Sequence, residues 1–153
     1  MKRLIVVTLL VAVVFGAMLY FMPQSIYSEI LCYADDAKVT VYCRSTLCSA
    51  VNTGLGYMVN CTVANCYETL RNCRDVDGLS VCFDGNEQDA EFVISRLNAQ
   101  IISVQQLDGL YVACLYSPRL RGGIVIDGKL VNVQIALSGG TVTVGYPLIL
   151  GEY

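Results

Sequence analysis

The chain has 153 residues, a net charge of −3 and a pI near 4.8, and 55% of its residues are hydrophobic. With no Lys/Arg cluster it lacks the basic face of a nucleic-acid binder. With no His it lacks the usual general base, the usual partner of a Ser or Cys nucleophile and the commonest metal ligand.

Lys2 and Arg3 precede an uncharged, mostly apolar run from Leu4 to Met22. Nineteen helical residues span roughly 28 Å, close to the hydrocarbon core of a bilayer. The leading positive charges hold the N-terminus inside, so the rest of the chain crosses. Residues 1–22 are therefore expected to be a transmembrane signal-anchor helix or a cleaved signal peptide, with cleavage after Ser28 or Ala34. Residues 23–37 read as a tether and residues 38–153 as one extracytoplasmic domain. Leu31 spoils the lipobox before Cys32, because a small residue is needed there.

All eight cysteines follow the apolar run, and in an exported chain that density points to disulfides. "KVTVYC" alternates and places Val39, Val41 and Cys43 on one face of a strand, 38–44. "LGYMVNCTV" does the same for Leu55, Tyr57, Val59, Cys61 and Val63 over a strand, 55–63. Cys43 and Cys61 thus point to apolar faces, as a cross-sheet disulfide or as small core residues. The C-x4-C pairs at 43/48 and 61/66 are too loosely spaced for a good zinc signature, and no metal site is expected. Residues 45–54 carry no clear pattern.

Asn65 and Glu68 form a capping-box pattern that opens a short helix over 65–73. Seven helical residues hold Cys66 and Cys73 about 10 Å apart, beyond the roughly 7 Å a disulfide tolerates. "DVDG" then reads as a turn into a strand with Leu79, Val81 and Phe83 on one face. Asp84 and Glu87 suggest the cap of a second helix. Ala90, Val93, Ile94 and Leu97 follow at i, i+3, i+4, i+7, and Asn98 makes a left-handed stop.

Three two-residue turns follow, at Asp108-Gly109, Asp127-Gly128 and Gly139-Gly140. The first sets Leu107 opposite Leu110 and Ser103 opposite Cys114. The last sets Leu137 opposite Val142, Ile135 opposite Val144 and Val133 opposite Tyr146. The expected fold is α+β, a two-layer sandwich of an antiparallel β-meander with two short helices on one face.

The opposite face of the last hairpin carries Asn132, Gln134, Thr141 and Thr143, with Val125 and Leu130 at its far end. Asn132, Gln134 and Thr143 could hold a ligand or peptide through amide hydrogen bonds, or be the wet side of a sheet. "YSPRLRGG" (116–123) is a loop in which Arg119 and Arg121 could hold phosphate or carboxylate, or serve only solubility. No cysteine has a sequence neighbour placed to activate it, since strand neighbours point to opposite faces. No catalytic constellation and no cofactor motif is present, which points away from an enzyme.

"GLSVCFDGNEQDAEFVISRLNAQII", "YSPRL", "DGKLVNVQIA" and "VGYPLILGEY" together resemble the YwmB family of exported proteins of spore-forming Firmicutes. The likeness covers roughly residues 76–153. Its most specific parts are Asn132 and Gln134, and the ending Gly145, Pro147, Ile149 and Tyr153. It implies an exported α+β domain shaped like the TATA-box-binding fold, with no DNA function and no catalytic residues. The function expected is a non-enzymatic envelope or interaction domain with a protein partner, and the resemblance points to sporulation as the associated process. The other readings are a small-ligand or anion-binding domain, or a disulfide or thiol structural protein.

Overall fold

A computed structural model describes residues 29–31 and 35–150. The apolar segment 1–22, most of the tether and Tyr153 lie outside the described residues. Among the described residues no helix is long and apolar enough to cross a membrane.

The domain is α+β and its main sheet is open and antiparallel. Its ten strands among the described residues are β1 (Lys38–Thr46), β2 (Val51–Asn52), β3 (Tyr57–Thr62), β4 (Cys73–Asp84), β5 (Gln100–Leu107), β6 (Leu110–Tyr116), β7 (Ile124–Ile126), β8 (Lys129–Val131), β9 (Val133–Ser138) and β10 (Thr141–Tyr146). Helix α1 (Val63–Asn72) joins β3 to β4, and α2 (Glu87–Arg96) joins β4 to β5. Eight strands form one sheet in the order β2-β3-β1-β4-β10-β9-β6-β5, while β7 and β8 form a separate ribbon.

This order corrects the expected meander in two ways. The last strand, β10, lies between β9 and β4, deep in the sheet. The Asp127-Gly128 turn forms as expected, with Ile126 opposite Lys129, but its ribbon stands apart. Val125 and Leu130 therefore do not extend the polar face of β9 and β10.

The side-chain period of two makes one continuous apolar face across the sheet. Val39, Val41 and Cys43 of β1 align with Leu79 and Val81 of β4, then with Val142 and Val144 of β10, Ile135 and Leu137 of β9, and Ala113 and Leu115 of β6. The buried helix residues Cys66, Ala90, Val93 and Leu97 belong to the same apolar cluster. Helix α1 contacts β1, β3 and β4, and α2 contacts β9. Every register partner expected for the last hairpin is present except Val133–Tyr146, which lies beyond the paired span. Leu107–Leu110 and Ser103–Cys114 are present also.

Local chemistry moves several boundaries. Helix α1 begins at Val63, its N-cap is Thr62, and Thr62 makes no side-chain cap bond, so Asn65 and Glu68 lie inside the helix. Helix α2 is capped two residues later than expected. Asn86 accepts from the Gln88 amide, and Asp89 accepts from the Asn86 amide, in a reciprocal box. "DVDG" is not a turn, since β4 runs through it with Asp75 at φ 52 and a register shift opposite Tyr42/Cys43. Asn98 takes φ 49, the left-handed stop its position suggested.

Candidate functional site

The polar row of the last hairpin is built into the interior. Asn132 is fully buried, and its side chain stands in for backbone. Its Oδ1 accepts from the Ser117 amide at 2.7 Å, and its Nδ2 donates to the carbonyls of Ser117 at 2.8 Å and Leu120 at 2.9 Å. Its own amide donates to Leu115. Ser117 is equally buried, and its hydroxyl donates to the carbonyl of Leu97 just past α2. One amide side chain thus locks the 117–120 loop between β6 and the β8–β9 break, because buried backbone groups must find partners. Asn132 is a brace, which overturns its reading as a contact residue on an open polar face.

Gln134 is half-buried for a related reason. Residues 147–150 fold back as a strap across the face opposite the helices. The Ile149 amide donates to Gln134 Oε1 at 3.0 Å, and Gln134 Nε2 reaches the Cys114 sulfur at 3.7 Å. Ile149 buries itself against Val112 and Ala136, with Leu110 beside them. Thr143, next to Ala136 in register, is buried. The strap passes so close to β10 that a Cβ on Gly145 would lie 2.3 Å from the Ile149 nitrogen and 2.4 Å from the Leu148 carbonyl carbon. The Gly145-x-Pro147-x-Ile149 pattern is the sequence of this crossing.

Arg119 and Arg121 are both exposed. Arg119 Nη1 faces Glu29 Oε2 at 3.9 Å. The Arg121 carbonyl accepts from the Tyr146 hydroxyl, which secures the far end of the same loop.

Cys43 and Cys61 are not opposite each other. Cys43 faces Tyr57 and Cys61 faces Val39, four ladder positions apart or roughly 13 Å. That excludes the expected disulfide between them. The seven cysteines among the described residues are free thiols. Cys43 and Cys73 are both buried, and the Cys73 thiol donates to Thr46 Oγ1 at 3.5 Å. Burial, and then the neighbouring Cys73 and Cys48, push the Cys43 thiol up to about 11. Cys61 is half-buried and Cys66 fully buried. Among the described residues no group of three or more Cys, Asp or Glu side chains is placed to hold a metal ion.

Two surfaces that sequence reasoning missed are better placed to meet a partner. The first is the sheet edge at β5, "QIISVQQL", which has no charged residue and no proline along eight residues. Ile101, Val104 and Leu107 are 53%, 45% and 66% exposed. The second is a groove of about 630 Å³ lined by Tyr42, Leu55, Met58 and Leu150, with Arg44 and Asp77 on its wall. Arg44 Nε donates to Asp77 at 3.1 Å, and Leu55 on the rim is 93% exposed. The edge is revealed only by the strand order, and the hollow only by how the loop residue Leu55 and the strap residue Leu150 come to lie beside β1 and β3.

Compared with known proteins, the chain matches no family model, no curated protein and no solved structure.

Proposed function

We propose that this chain is an extracytoplasmic interaction domain of the cell envelope, anchored by or released from its apolar N-terminal segment, that engages a protein partner along β5. The observation that carries this reading is the uncharged edge. A strand at a sheet edge offers a row of unpaired backbone donors and acceptors, and proteins that avoid pairing there insert lysine, proline or a bulge. Among the described residues a bulge at Ile101/Ser103 is the one such device, and no further strand pairs with the outer side of β5. An extended segment of a partner adding antiparallel to β5 would gain main-chain hydrogen bonds and cover Ile101 and Val104. The apolar segment 4–22 with Lys2 and Arg3 before it supports the extracytoplasmic placement. The YwmB-like stretches support an envelope role and make sporulation the first process to test.

Val104→Lys tests the edge, since an added charge on an exposed edge position blocks pairing and leaves the core untouched. Full-length wild type is expected to recover a cross-linked envelope protein that Val104→Lys loses, while an Arg119→Ala/Arg121→Ala pair keeps it. Equal recovery by all three would end the β5 reading. Light scattering on the same samples distinguishes a second copy of the chain as the partner.

The groove favours a second reading, a binder of a small apolar ligand. Pockets with apolar walls and a few polar groups are the usual hosts of such ligands. Leu55→Asp is expected to abolish any thermal stabilisation that alkyl or aryl compounds give the wild type. Stabilisation that survives Leu55→Asp would place the ligand elsewhere.

A further inference from the structure

The strand directions gather charge at one end of the sheet. Neighbouring strands pair antiparallel throughout, so β1 and β6 run the same way and finish at the same end. Both helices cross towards that end, α1 from Thr62 to Cys73 and α2 from Asn86 to Leu97. All six arginines of the described residues lie towards it, and all are exposed: Arg44, Arg71, Arg74, Arg96, Arg119 and Arg121. Two of them are paired, Arg44 with Asp77 and Arg119 with Glu29. Asp75 is the other carboxylate at this end, while Glu68 and Glu91 lie midway along the helices. The far end carries Asp35, Asp36, Asp84, Glu87, Asp89 and Asp108, with Lys38 as its cation. The nine residues of β1 hold the two ends about 30 Å apart.

The arginine end also carries the barest apolar side chains. Leu47 follows β1 and Leu55 precedes β3, and at 90% and 93% exposure they exceed every other large hydrophobic among the described residues. The Leu47 amide donates to the Asn72 carbonyl, which sets this tip beside the last turn of α1 and Arg71. From Ser45 to Tyr67 the sequence has no charged residue. The chain enters at this end too, since Glu29 meets Arg119 in the loop after β6. Seven residues lead there from Met22, and a fully extended chain of that length spans at most about 25 Å.

We propose that this end of the domain docks on an anionic lipid bilayer, with Leu47 and Leu55 entering the interface and the surrounding arginines meeting headgroup phosphates. The inference rests on the anchored reading of segment 4–22, which holds a bilayer close to Glu29. Leucine gains by leaving water, and arginine gains by hydrogen-bonding phosphate, so one surface satisfies both. The chain as a whole is negative, but its acids are placed where they do little harm. Physiological salt screens charges beyond about 8 Å, and the acidic end is several such lengths away. A nucleic acid would use the arginines and leave the two leucines in water, whereas a bilayer uses both. Docked in this way, the sheet stands on its end, and β5 rises from the surface with its outer side open to a protein partner.

The chain has no Trp, so one introduced tryptophan reports from a single place. The test uses the full-length chain with Leu47→Trp or, at the far end, Leu107→Trp. Each is reconstituted in vesicles of phosphatidylglycerol and phosphatidylcholine with brominated acyl chains. Leu47 does not line the groove, so a tryptophan there responds to lipid and not to the hollow. Emission from Leu47→Trp is expected to shift to the blue and to be quenched by bromine, and that from Leu107→Trp to do neither. Adding Arg71→Ala/Arg74→Ala to Leu47→Trp is expected to weaken docking roughly 25-fold and reduce the quenching, because each cation near an anionic surface contributes about fivefold. Both arginines are exposed, so the core is untouched. Equal quenching at the two tryptophan positions would overturn the proposal, as would quenching at position 47 that is indifferent to phosphatidylglycerol. Flotation of the same samples separates the two readings. A chain that does not float with the vesicles defeats the anchor and the docking together. A chain that floats while Leu47→Trp stays unquenched defeats the docking alone.

Discussion

Asn132→Ala is expected to lower the stability of the domain by about 3–4 kcal/mol, an effect on the scale of emptying a core position. The side chain makes three hydrogen bonds in a site with no exposure. Truncation leaves the Ser117 amide and the carbonyls of Ser117 and Leu120 without these partners. Each orphaned buried group costs about 1–3 kcal/mol, reduced where water enters the space left behind. Asn132→Asp keeps the acceptor, loses both donors and buries a charge, so it is expected to be at least as damaging. Chemical denaturation measures both. A loss below about 1 kcal/mol for Asn132→Ala would mean that water replaces the amide with little penalty.

Gly145→Ala is expected to cost about 2–3 kcal/mol and to lift the strap from the sheet. The added methyl meets backbone at Leu148 and Ile149, and backbone cannot rotate aside as a side chain can. Lifting the strap breaks the Ile149–Gln134 hydrogen bond and uncovers Val112 and Ala136. Hydrogen exchange at the Ile149 amide reports the first event, and denaturation reports the whole. Ile149→Ala is the control, since it empties the apolar contact without a clash and leaves the Gln134 bond available. Unchanged exchange at Ile149 in Gly145→Ala would show that the strap accommodates the methyl in place.

The hairpins were legible in the sequence because their determinants are local. Gly139 and Gly140 take positive φ, as a two-residue turn that matches strand twist requires, and alternation on both arms fixes the phase. Alternation also put Gln134 opposite the apolar face correctly. It could not say what covers that opposite face, because the strap arrives from residues beyond the hairpin. Asn132 misled for the same reason, since a polar residue in a strand pattern reads as wet until its backbone partners are known. The pairing of β10 with β4 brings together segments some sixty residues apart and has no turn signal to announce it.

The central position of β10 has a consequence for how the chain reaches its folded state. Without residues 141–146 the sheet is two pieces, β2-β3-β1-β4 and β9-β6-β5, with β4 and β9 as bare inner edges. Synthesis proceeds from the N-terminus, so the strand that zips the pieces together emerges after the other described strands. Pairs this distant in sequence raise the contact order and slow folding, because chain closure must precede any gain from the contacts. For a chain proposed to cross a membrane, the delay is useful. Under that proposal the sheet would stay incomplete, and loose enough to be threaded, until its last strand arrives.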